Sequence, residues 1–245
     1  MCRPEPVHRQ LLTWRERIGP IMDVVPTRAQ IARPFRGAID WYEFGEFLFA
    51  DTYTDELTLR RTIARISQDN ARAIAFHIVI DGGAATLVTR PGKRQDAPFE
   101  ILAVDFDQPL HVERRACRHV TLFVPGTALQ EVFPDPGALH GRVLGANEPA
   151  AQLIRQRVKA LSASLSHMSF DDAHLRLREI VHLIADAFGE QAGLRGSKPA
   201  VARAIAFDAA RRFVQGNLAD FDLSPERVIE SLPLSRATIY RAVPT

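Results

Sequence analysis

Apolar and polar positions divide this chain into two stretches of different period. Up to about Leu144 they form short strand-like runs separated by turn residues. Trp41-Tyr-Glu-Phe-Gly-Glu-Phe-Leu-Phe49 is dense in aromatics and predicts either a strand pair or one strand bulged at Gly45. Ala73-Ile-Ala-Phe-His-Ile-Val-Ile80, then Asp81-Gly-Gly83, then Ala84 to Thr89 reads as a hairpin turning at the glycines. Phe99–Val104 and His119–Val124 are two more strands, with Leu110–Glu113 between them. Short strands at roughly regular spacing predict an antiparallel sandwich or barrel.

After Ala146-Asn-Glu-Pro149 the period becomes helical. Ile154, Val158, Leu161 and Leu165 recur on one face of a first helix. Asp171 is the expected cap of a second, with Leu177, Val181, Ile184 and Phe188 as its stripe. The two should form an antiparallel hairpin. Gly189 to Ser197 reads as a linker, and a third helix is expected from near Pro199 to Gly216. Ser224 should cap a short helix opening on Pro225 and Glu226, which Pro233 ends. Ser235 should cap a last helix with Ile239 and Val243 buried, leaving Arg236, Ala237, Tyr240 and Arg241 on the opposite side. Two such helices joined by a turn have the geometry that reads a DNA major groove.

Composition narrows this picture without redirecting it. The 245 residues are 46% hydrophobic and 24% charged with net charge +2, as in an ordinary soluble protein and not a polycation. Cys2 and Cys117 give neither a disulfide framework nor a metal spacing, and Cys117 is expected to be a buried or half-buried thiol. The N-terminus lacks an apolar signal core, and no run is long enough to span a bilayer, so the expected place is the cytoplasm, with no membrane partner.

The C-terminal segment resembles the DNA-binding domain of the AraC/XylS family of transcriptional regulators. Leu223-Ser-Pro-Glu226, Leu234-Ser-Arg236 and Ile239-Tyr-Arg241 carry the likeness, with Ala209–Leu218 as the preceding helix. The N-terminal part resembles the cupin-like sensor domain found upstream of such domains. There the matching residues are Pro34–Gly37, Phe99–Asp105, His119–Pro125 and Leu139-His-Gly141. The resemblance implies an α+β protein: a cupin-like antiparallel barrel or sandwich over residues 1–146, a helical hairpin and linker over 147–196, and an incomplete helix-turn-helix domain over 197–245. Only the first of the family's two helix-turn-helix units is present, so the domain reads as truncated. DNA is the implied partner, through Ser235, Arg236, Ala237, Thr238, Tyr240 and Arg241. Arg236 is the expected base contact. A small-molecule effector and a homodimer through the middle helices are the further partners the family suggests. Two readings stay open: a sequence-specific DNA-binding regulator, or a ligand-binding or dimerising module that has lost autonomous DNA binding.

The candidate chemistry is sparse. His77, His111, His119 and His140 lack a His-x-His motif and a carboxylate at fixed offset, so they read as structural or surface residues with no metal. Asp105 and Asp107 are expected to be turn residues ahead of Pro109 and not an acid-base pair. With no nucleophile and no cofactor motif, the chain does not read as an enzyme. The aromatics from Trp14 to Phe49 are either core or the wall of a pocket, and the effector-pocket candidates are Trp41, Phe44, Phe76 and His77.

Overall fold

The computed structural model describes residues 5–69, 71–82, 85–90, 93–95, 99–130, 132–133, 135–191, 213–214, 217, 220 and 222–231. It is α+β, built in three layers. One sheet joins β1 (Asp23–Val24), β4 (Leu57–Arg61), β9 (Leu110–Arg114), β6 (Ala85–Arg90) and β7 (Lys93–Gln95), in that spatial order. The other joins β11 (Val143–Leu144), β8 (Ile101–Asp105), β5 (Ala73–Gly82), β10 (Cys117–Pro125), β3 (Phe47–Thr54) and β2 (Gly37–Phe44). Every recorded pairing is antiparallel.

Strand alternation explains why the six-stranded sheet lies in the middle. In β5, Ile74, Phe76, Ile78 and Ile80 belong to one buried cluster, while Ala75 and Val79 belong to another. β10 does the same, with Val120, Leu122 and Val124 on one side and Phe123 on the other. Successive side chains on a strand face opposite ways, so both faces of this sheet are covered. The Phe76 face packs on α5 (Pro149–Ser164) and α6 (Phe170–Gln191), through Ile154, Val158, Leu177, Ile184 and Phe188. The other face looks toward the five-stranded sheet.

The aromatic stretch forms a strand pair, since β2 and β3 run Phe44 against Phe47 around Gly45, whose φ of 59° suits the tight turn. The hairpin expected after Ile80 does not form. β5 pairs with β10 and β8, whereas β6 pairs with β9 and β7, so the chain turns a corner between sheets. Gly82 makes that corner with φ 84°, where an added Cβ would stand 2.8 Å from the Ala116 carbonyl oxygen. The cap of α6 also shifts: Ser169 Oγ accepts from the Asp172 amide at 3.1 Å, leaving Asp171 within the first turn. Ser224 does cap its helix. Its Oγ accepts from the Arg227 amide at 3.2 Å, and α7 runs over Pro225–Ser231. Asp105 and Asp107 form a turn in which Asp105 Oδ1 accepts from the Asp107 amide at 2.9 Å.

Helix α1 (Val7–Ile18) lies against the inner face of β2. Its Trp14 ring sits where a Cβ on Gly37 would come within 2.7 Å, so only glycine admits the helix this closely. Among the described residues no helix is long and apolar enough to cross a membrane.

Candidate functional site

The space between the two sheets is not completely filled. The inner face of the central sheet carries small or polar residues at Ala50, Thr52, Ala75, His77, His119 and Thr121, where the helix-facing side carries phenylalanine, isoleucine and leucine. The result is a cavity of about 110 Å³, closed on one side by Trp14 and Ile18 of α1. Trp41, Phe106 and Phe123 make an aromatic wall. Phe123 meets Phe106 edge-on at 5.5 Å between ring centroids and Trp41 at 6.2 Å.

The polar groups gather at one end because of cross-strand register. Thr121 pairs with His77 on β5, His119 with Thr52 on β3, and Cys117 with Thr54. Arg114, from the end of β9, reaches across from the opposite sheet. Its Nη2 donates to Thr54 Oγ1 at 2.8 Å, and its Nη1 lies 3.1 Å from His119 Nε2. A guanidinium has no lone pair, so His119 Nε2 accepts and its proton sits on Nδ1, 3.6 Å from Cys117 Sγ. The His77 and His119 rings lie 4.1 Å apart between centroids, and His77 Nδ1 is 3.4 Å from Thr121 Oγ1.

Among the described residues, three buried polar atoms on this wall have no hydrogen-bond partner: Trp14 Nε1, His77 Nε2 and Arg114 Nε. No carboxylate lines the cavity among the described residues, so the Arg114 charge has no counter-charge among them. The titrations follow. Burial lowers the Arg114 guanidinium from its usual value. Burial, reinforced by the charge of Arg114, holds His77 well below the usual imidazole range. His119 is held down in the same way, with His77 adding to the effect. Burial also pushes the Cys117 thiol up. Burial therefore keeps the two imidazoles uncharged at neutral pH, and among the described residues Arg114 is the one formal charge on the cavity wall.

His77, Cys117 and His119 place their potential ligand atoms within 4.8 Å of one another, a grouping the sequence did not reveal. The grouping fits a metal cation poorly. His119 already uses one ring nitrogen as acceptor and the other as donor, and an incoming cation would lie beside Arg114. Of the other two candidate histidines, His111 is half-buried near Glu113, and His140 Nδ1 accepts from the Asp105 amide at 3.2 Å.

The pocket candidates divide between the two faces of one sheet. Trp41 and His77 line the cavity, and Trp41 stays 36% exposed. Phe44 and Phe76 are on the other face, buried in the cluster against α5 and α6. Strand parity is the reason: Trp41 and His77 point inward, and the even positions point to the helices. Sequence reasoning missed Arg114 and Thr54. The available signal was the alternation Cys117-x-His119-x-Thr121-x-Phe123 along one strand. The DNA-contact candidates Ser235, Arg236, Ala237, Thr238, Tyr240 and Arg241 lie outside the described residues.

Compared with known proteins, the sequence matches no protein-family profile and no curated protein. Its structure is similar to the crystal structure of the AraC-like transcriptional activator CuxR. The TM-score is 0.65 at 18% identity, covering 97% of this chain and 84% of that one. The chain shares that activator's fold. A cupin protein from Desulfovibrio desulfuricans also aligns, at TM-score 0.29 and 15% identity over 37% of this chain and 82% of that one.

Proposed function

We propose that this chain is a sequence-specific DNA-binding regulator of transcription whose activity responds to a small molecule held between its sheets. The observation that carries the reading is a fold shared with an AraC-like activator over 97% of the chain. Supporting it, the Ser224-capped helix Pro225–Ser231 opens the segment whose residues resemble that family's helix-turn-helix. On this reading residues 1–146 sense, residues 147–196 connect, and residues 197–245 read DNA through the segment that follows Ser235. Arg236 contacts a base, and Thr238, Tyr240 and Arg241 hold the backbone. The protein then works in the cytoplasm as a binding protein and not as an enzyme.

The test is fluorescence anisotropy of the full chain on promoter and random-sequence duplexes at low and physiological salt. The expected result is sequence-dependent binding that survives physiological salt and is lost in Arg236→Ala. Binding that ignores sequence and disappears with salt would be counterion release alone and would overturn the reading.

A further inference from the structure

We infer that the cavity between the sheets takes a compact monocarboxylate, its anionic head against Arg114 and its apolar body along Trp41, Phe106 and Phe123. This deepens the effector-responsive reading above by naming the chemistry of its ligand. Three observations support it.

The first is charge. Arg114 is 8% exposed and makes no ion pair among the described residues, and its two partners, Thr54 and His119, are neutral. A buried guanidinium facing uncharged groups is costly, and an anion relieves that cost with charge-assisted hydrogen bonds. A single arginine suits a single negative charge. A phosphate would bring a second charge with no further cation among the described wall residues to meet it, and a metal would bring a second cation beside the first. The second observation is the orphaned hydrogen-bonding capacity. When His77 Nδ1 accepts from the Thr121 hydroxyl, its unpartnered Nε2 carries a proton to donate, and Arg114 Nε is a further unused donor at the same end. The third is size and lining. A closed apolar cavity of roughly 150 Å³ admits benzene. At about 110 Å³ with aromatic walls, this one is smaller and suits a short acid such as butyrate or pentanoate, with benzoate at its upper limit, and not a long chain.

The chain supplies its own reporter. Its two tryptophans, Trp14 and Trp41, both line the cavity. Titrating the full chain at neutral pH with butyrate, pentanoate, benzoate and decanoate should change tryptophan emission saturably for the first three and not for the ten-carbon acid. Pentanamide and benzamide, equal in shape and uncharged, should bind about tenfold or more weakly, as loss of a hydrogen bond to a charged group implies. Arg114→Met should remove the preference for acid over amide. Equal affinity for acid and amide, no response to any acid, or stoichiometric uptake of Zn²⁺ in place of acid would overturn the assignment. The acid-to-amide ratio in the unsubstituted chain decides this even if the variant fails to fold. An acid that binds here but leaves DNA affinity unmoved upholds the ligand assignment and removes the effector reading.

Discussion

Arg61 and Arg114 are both buried, and the structure treats them in opposite ways. Arg61, 1% exposed, uses its whole guanidinium. Nη1 and Nη2 each donate to one oxygen of Asp69 at 3.0 Å, Nη1 donates to the Ile21 carbonyl at 2.8 Å, and Nε and Nη2 donate to the Phe106 carbonyl. It also lies 4.5 Å over the Phe106 ring. The arginine thereby ties β4 to the end of α3 (Ile63–Gln68), to the segment after α1 and to the turn before β9. Arg114 has two neutral partners, one idle nitrogen and a cavity in front of it. A buried arginine with every donor matched is part of the architecture. One left short beside a cavity fits the anionic ligand inferred above.

The two arginines should respond differently to substitution, and the largest effect belongs to Arg61. Asp69→Ala leaves that guanidinium buried without its counter-charge and should cost about 3–5 kcal/mol in denaturant unfolding. A loss well under that would mean Arg61 is no more anchored than Arg114.

Acid comes next. The folded state holds His77 and His119 well below their unfolded value, chiefly through burial, so the unfolded chain binds more protons as pH falls. Stability is therefore full above the unfolded imidazole value and declines below it, by no more than about 1.4 kcal/mol per pH unit for each ring. Unfolding midpoints at pH 7 and pH 5 check the sign, and a flat profile would place the rings in solvent. Asp69 acts lower. Burial would raise its carboxyl, but hydrogen bonds and charge from Arg61, with further help from the Ala71 amide and Arg65, hold it below the usual value. Its contribution is present at neutral pH and is lost only as pH falls below the ordinary carboxylate range.

Thr54→Val removes the acceptor of Arg114 Nη2 without opening a void. It should cost about 1–3 kcal/mol, the usual penalty for stranding a buried donor. Arg114→Met is the smallest effect, expected within about 1 kcal/mol of the starting protein or on the stable side, since apolar replacement of an uncompensated buried charge is often favourable. A loss as large as that of Asp69→Ala would make the two arginines alike and end the comparison.

Local pattern disclosed the elements better than their partners. The spacing of Ile154, Val158 and Leu161 and of Leu177, Ile184 and Phe188 located α5 and α6, and Ser224-Pro225 located the start of α7. The run Ala73–Ile80 disclosed a strand but hid its two faces, because burial on both sides erases the polar alternation that would mark them. Pattern alone therefore groups Phe44 and Phe76 with Trp41 and His77, though the sheet separates them. The Gly82 corner looked like a hairpin because the same turn chemistry serves both. The polar end of the cavity was illegible for another reason. Arg114 meets Thr54 across 60 positions, a pairing that arises only when two sheets close on one another.

The most direct test of what Arg114 is for is the thermal unfolding of the unsubstituted chain and of Arg114→Met, each with and without saturating pentanoate. A ligand that binds the folded state at a hundred times its dissociation constant adds about 2.7 kcal/mol. A clear rise in midpoint is expected for the unsubstituted chain and little or none for the variant. Equal rises in both, or none in either, would mean that the cavity does not read a carboxylate through Arg114.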